Sequence, residues 1–178
     1  MNQNSFFKTQ KILKSLLIVS IASISTLIAT NTIAKPTSER SNSQEILLAQ
    51  NRCQLNSFEQ EVIDLTNQER RRSGLRSLSF NCQLTVAAQN HTLDMERNRM
   101  LSHTGSDGSS MVDRVRRTGY RPGYLGENVA VGQRTPQEVV DSWMRSSGHR
   151  RNILNPNYEE IGVGYDNRYW TQVFGTQR

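Results

Sequence analysis

The stretch Trp143-Met144-Arg145-Ser146-Ser147-Gly148-His149-Arg150-Arg151-Asn152-Ile153-Leu154, read together with Gly126-Glu127-Asn128 upstream, decides the reading of this chain. A helical pattern ending in Trp143 and Met144 is expected to break at Gly148. His149 then sits beside two arginines and an asparagine, just ahead of the apolar pair Ile153-Leu154. Polar groups this dense against apolar surface need specific partners wherever they are buried. One carboxylate and one imidazole brought together there make a metal site, an acid/base pair or a structural network. Those three alternatives imply different functions.

Working outward, Thr135-Pro136-Gln137-Glu138 is a strong helix start, with a Thr cap and Pro at the first position. The helix it opens carries Val139, Val140, Trp143 and Met144. Further upstream, Ser57 followed by Gln60 reads as a capping box. It opens a helix with Phe58, Val62, Ile63 and Leu65 on its apolar side that stops at Gly74. The run Arg70-Arg71-Arg72 closes that helix, where cations favour the C-terminal dipole. A second helix is predicted from about Gln83 to Met100, with Leu84, Ala87, Ala88, His91 and Met95 at helical spacing. His91 lies in that stripe and reads as a core histidine with one hydrogen bond. A loop, Ser102 to Gly108, leads to a short helix through Met111, Val112 and Val115. Tyr120 to Gly126 reads as irregular, and Glu127 to Val131 as a short strand. Two strands, Ile161–Tyr165 and Tyr169–Phe174, close the chain around Asp166-Asn167-Arg168, which suits a tight hairpin turn. This order predicts an α+β domain, a short antiparallel sheet with helices packed against it.

The first 34 residues are set aside. Lys8, Lys11 and Lys14 form a basic start, Ser15 to Ala29 an apolar stretch, and Thr32-Ile33-Ala34 a small-residue cleavage site, the pattern of a signal peptide over residues 1–34. An uncleaved anchor is the alternative, since about 20 apolar residues span a bilayer. Residues 35–56 read as a polar, flexible linker, interrupted by Ile46-Leu47-Leu48-Ala49, and residues 57–178 as the folded domain. Secretion to an extracellular or periplasmic compartment is the expected localisation, with membrane contact only through an uncleaved leader. The whole chain has 22 basic and 16 acidic residues, a net charge of +6. Losing the three leader lysines leaves 19 against 16, or +3. The remaining positive charge is almost all arginine, spread over several segments without interleaved aromatics, which argues against a nucleic-acid partner.

Two cysteines, Cys53 and Cys82, lie in the exported part. An even count in an oxidising compartment suggests a bridge, two free thiols being the alternative. The bridge would close a loop of roughly 30 residues and contribute on the order of 3 kcal/mol.

Three histidines remain as candidates for chemistry. His103 and His149 fall in polar, glycine-containing segments, where functional residues concentrate, and Glu127 stands at the start of a strand. The spacings are long, so only the fold can assemble them, and no HExxH, paired CxxC or GxSxG pattern is present.

The blocks Ser102-His103-Thr104, Gly126-Glu127-Asn128-Val129-Ala130, Trp143 through Leu154, Ile161-Gly162-Val163-Gly164 and Tyr169 through Phe174 resemble the CAP superfamily. This family, built on the SCP domain, comprises cysteine-rich secretory proteins, insect venom allergens and plant pathogenesis-related proteins. The likeness is greatest to its short bacterial branch and runs from about Ser57 to the C-terminus. It implies an α-β-α sandwich with a central cleft of two histidines and two acids. His103, Glu127 and His149 match three of the four. Ser146 stands nearest the second acid, with Asp141 two residues before Trp143. The resemblance implies an exported module that binds a lipid, a sterol or another extracellular ligand. It also allows a hydrolase in which His103 and His149 hold Zn2+ or another divalent cation weakly, with Glu127 as general base, or an envelope-interaction protein without catalysis.

Overall fold

The computed structural model describes residues 53–178. The signal-peptide reading, the Ile46–Ala49 patch and most of the linker lie outside the described residues. Among those described, no helix is long and apolar enough to cross a membrane.

The elements are α1 (Ser57–Arg72), β1 (Ser79–Phe80), α2 (Cys82–Asn98), α3 (Met111–Arg117), β2 (Pro122–Val131), α4 (Pro136–Arg145), α5 (Ser147–Ile153), β3 (Glu160–Asp166) and β4 (Tyr169–Gln177). The sheet runs β1-β3-β4-β2. The β3–β4 and β4–β2 pairs are antiparallel. The two-residue β1 pairs parallel to β3, so the sheet is mixed rather than purely antiparallel. β1 is too short to leave a periodic signal.

Helices cover both faces. Val62 and Ile63 of α1, Val139, Val140 and Trp143 of α4, and Ile153 of α5 pack with Ile161, Val163, Trp170 and Phe174. Leu84, Ala87 and Ala88 of α2 and Val115 of α3 pack with Tyr120 and Val173 on the other face. Strand alternation produces this split, because neighbouring residues of β4 point to opposite sides. Both faces of β4 are therefore core. Gln172 reaches Thr66 of α1 and Thr171 reaches Thr92 of α2, so neither strand face opens onto a cleft.

Several boundaries differ from the sequence reading. Asn56, not Ser57, caps α1: its side chain accepts the Phe58 and Glu59 N–H groups, and the Glu59 carboxylate takes the Asn56 N–H at 2.9 Å. The same buried carboxylate accepts Tyr165 N–H at 3.2 Å, which joins α1 to β3. The α4 helix ends at Ser146, and Gly148 falls inside α5 rather than breaking a helix. His149 is therefore on a short helix. β2 starts at Pro122, five residues before the predicted strand. Proline and two glycines concealed it, as edge strands tolerate both. In the hairpin, Asn167 and Arg168 take φ of 43° and 67°, a two-residue turn with the hand that matches the strand twist.

Cys53 and Cys82 form the disulfide, with Cα atoms 5.2 Å apart. It fastens the chain before α1 to the first turn of α2.

β2 is an edge strand, and its open side is capped by side chains. The carbonyls of Leu125, Glu127 and Val129 accept from Tyr158 Oη (3.0 Å), Asn152 Nδ2 (3.0 Å) and Trp143 Nε1 (3.4 Å). Alternate carbonyls of an unpaired edge thus receive donors from α4, α5 and the loop after α5, which blunts a surface otherwise open to strand addition.

Candidate functional site

The site grows from two consecutive residues of β2. Glu127 and Asn128 point to opposite faces of the strand, and each holds one of the two histidines. Glu127 turns toward the α3 layer. Its Oε1 accepts His103 Nδ1–H at 2.9 Å, and its Oε2 accepts the Arg114 guanidinium at 2.7 Å. Arg114 also donates to the carbonyls of His103 (3.1 Å) and Ser109 (2.9 Å). It therefore fixes both the carboxylate and the loop that carries the histidine. Asn128 turns toward α5. Its amide donates to the His149 carbonyl at 3.2 Å and to Gln172 Oε1 at 3.1 Å, while its oxygen accepts Asn152 Nδ2 at 2.9 Å. Gln172 in turn donates to Thr66 at 2.7 Å. Thr66, Asn128 and Gln172 are each 0% exposed. This run of satisfied amides spans the sheet from α1 to α5, and such fully bonded buried networks give one rigid arrangement.

The two imidazoles differ in charge. The hydrogen bond to Glu127 holds the His103 pKa above 6.5. Burial, with a further push from the charge of His103, holds that of His149 below 6.5. His103 keeps 58% of its side chain exposed, against 3% for Glu127. With Nδ1 on Glu127, Nε2 is the nitrogen left for a ligand. The two histidines are therefore shifted in opposite directions, His103 upward by its bond to Glu127 and His149 downward by burial. A cavity of about 360 Å³ adjoins His103 and Glu127, walled by Met111 and Val112.

His103, Glu127 and His149 are thus all placed around the middle of β2, at Glu127 and Asn128. Ser146 precedes α5 and makes no side-chain cap bond. Asp141 faces outward and bonds Gln137 at 2.8 Å, so it supplies no second acid. Asn152 pins β2 through the Glu127 carbonyl and the Asn128 side chain, and the Glu127 carboxylate accepts side-chain donors. His91 is buried and donates Nε2–H to Ser102 O at 2.8 Å, as a core histidine. Arg114 was missed by the sequence reading. It shares the inward stripe of α3 with Met111 and Val115, and that spacing is the signal that could have found it.

The donor set does not fit a resident zinc. Both Glu127 oxygens are engaged, and no group of three His, Cys, Asp or Glu residues suited to a metal occurs among the described residues. Two imidazoles fall short of the three protein ligands of a catalytic zinc. In calorimetric titration, zinc is expected to bind no tighter than about 10 µM, and His149→Ala to change the isotherm little. A nanomolar constant abolished by His149→Ala would contradict this.

Comparison with known proteins places this geometry. Residues 63–174 match the model of the cysteine-rich secretory protein family, CAP. The uncharacterized protein YkwD of Bacillus subtilis (strain 168) is 41% identical over 122 residues, 67% of this chain and 48% of that protein. An extracellular protein of Bacillus anthracis containing an SCP domain superposes with a TM-score of 0.67 at 32% identity, over 68% of this chain and 41% of its own. An outer surface protein of Borrelia burgdorferi shares the fold, with a TM-score of 0.61 at 21% identity, over 66% of this chain and 90% of its own. The chain spans less than half the length of the two Bacillus relatives. With the matched family model covering most of the domain and the α-β-α layers in place, the chain belongs to the cysteine-rich secretory protein (CAP) family.

Proposed function

We propose that the chain is an exported binding module whose cleft takes a small ligand with an anionic head and a short apolar part. The observation that carries this reading is the double engagement of Glu127 by His103 and Arg114. A carboxylate with both oxygens held is not free to draw a proton from water, so it serves as an anchor rather than a general base. Anchored in this way, His103 has its protonated form favoured by Glu127, and in that form its bond to an anion is charge-assisted. Met111 and Val112 beside it offer the apolar wall, and the cavity volume lies at the small end of the range for ligand sites. Export is supported by the leader pattern of residues 1–34 and by the extracellular and outer-surface character of the two structural relatives.

Octanoate and octanol are suitable probes, because they share a chain and differ in the head. Octanoate is expected to bind at least about tenfold more tightly, and His103→Gln to remove that preference. The pH dependence follows from the sign of the His103 shift. Its charged form is present below the raised pKa and is lost as pH rises through it. Octanoate affinity should therefore fall as pH rises above 6.5 through the raised His103 value, while octanol affinity stays level. Equal binding of the two probes, or octanoate binding that strengthens with pH, would sink the reading.

A further inference from the structure

A second concavity adjoins the His103–Glu127 cleft through Arg114, which borders both, a groove of about 710 Å³ between α2 on one side and the 102–110 loop and α3 on the other. One row of α2 lines it, Gln83, Val86, Asn90 and Asp94, with Ser106 and Asp107 of the loop opposite. Along the helix axis, Cys82 to Asp94 measures about 18 Å at about 1.5 Å per residue.

The chemistry of the walls selects the occupant. No Phe, Tyr or Trp lines the groove and the His91 ring is fully buried, so it lacks the stacking platform that sugars and bases use. Its arginines are engaged: Arg117 pairs with Asp107 at 2.7 Å and Arg114 with Glu127 at 2.7 Å. A phosphate would therefore have to break an existing pair. The apolar floor is short, Val86 and Ala87, too little for an acyl chain. Carboxamides are what remain. Asn90 carries a donor and an acceptor, as a peptide bond does, and Gln83, whose Nε2 donates to Thr118 O at 3.0 Å, presents its amide oxygen; the two stand about 10 Å apart along α2. That separation matches about three residues of extended chain at about 3.3 Å each. At one end, Asp94 accepts from the backbone N–H and the hydroxyl of Ser106 and from Asn98 Nδ2 at 3.0 Å, all neutral donors, and has no cationic partner among the described residues. Its charge is open to a basic side chain. His91, also in the wall, keeps its Nδ1 without a partner, a buried acceptor that stays unmet while Nε2–H serves Ser102.

We propose that this groove binds an extended peptide segment of a partner protein, about five or six residues long, with a lysine or arginine set against Asp94. The assignment is independent of the cleft reading, since it uses neither His103 nor His149. The test is to pan a random library of capped hexapeptides over the purified full-length protein. Recovered peptides should share a basic residue at one position. Asp94→Asn should weaken the best of them about fivefold and erase the basic preference. Val86→Trp should abolish binding by filling the groove. Asn90→Arg, at an exposed position, should do the same without touching the core. Recovery of no peptide, recovery without a basic residue, or binding that survives both Val86→Trp and Asn90→Arg would overturn the proposal. So would binding that appears only in protein truncated before Cys53, because the groove would then belong to the chain's own preceding segment.

Discussion

Replacing Arg70 by methionine is expected to destabilise the domain by about 3–5 kcal/mol, enough to lower its melting temperature by roughly 10 °C or more. Arg70 is 2% exposed. Its guanidinium donates to the carbonyls of Arg76 (2.9 Å), Ile153 (2.8 Å), Asn155 (2.9 Å) and Tyr158 (3.3 Å). These carbonyls lie where the end of α1, the end of α5 and the loop into β3 converge. Methionine fills much of the same volume but leaves the carbonyls buried without donors, and unmet buried groups carry the full desolvation penalty. Arg70→Lys keeps the charge yet cannot reach all four acceptors in the planar fork, so it should recover less than half of the loss. Arg71→Met, one residue along on the exposed side, should change stability by no more than about 0.5 kcal/mol. Equal losses for Arg70→Met and Arg71→Met in thermal unfolding would refute the assignment.

Gly162→Ala is expected to be comparably damaging, at more than about 3 kcal/mol. A Cβ there would run into the main chain of Leu84 and Thr85, and one at Gly164 would lie 2.6 Å from Gln89 Cα. These contacts are with helix backbone, which cannot swing aside as a side chain does. The two glycines let α2 lie directly on β3, and a methyl group at Gly162 must push helix and sheet apart. Gly148→Ala offers the opposite sign. It sits inside α5 with no atom nearer than 3.9 Å to the added carbon, so alanine's better helix propensity should stabilise by about 0.5–1 kcal/mol. Urea midpoints at constant slope would read both effects. A Gly162→Ala protein as stable as the parent would show that helix and sheet are not in such close register.

These two residues mark where the sequence was readable and where it was not. The strong helix starts, the closing hairpin and the Cys53–Cys82 bridge follow from local chemistry that acts over a few residues or from a simple cysteine count. The α-β-α layering came from the family blocks, and the stripes of α1, α2 and α4 agree with it. Arg70 was read with Arg71 and Arg72 as cations closing a helix at its C-terminal dipole, which says nothing of burial. The helical row through Ile63, Thr66, Asn67 and Arg70 points inward instead, and burial follows that row. Proline and glycine in β2 likewise disguised an edge strand whose carbonyls are capped from elsewhere. In the site, His103, Glu127 and His149 were legible as residues, but their roles were not. Those roles depend on Arg114 and on the alternation of Glu127 and Asn128 across β2, which no spacing in the chain spells out.

Glu127 is an anchor that raises the His103 pKa, and NMR titration of the imidazole Cε1–H signals tests this most directly. His103 should titrate above 6.5 and His149 below it, for the reasons given by their hydrogen bonding and burial. The stability that His103 contributes is then complete below 6.5 and fades as pH rises through its higher folded value. In Glu127→Gln the charged acceptor is gone, and the His103 midpoint should fall to 6.5 or lower while that of His149 moves much less. A wild-type His103 midpoint at or below 6.5, unchanged by Glu127→Gln, would contradict the account.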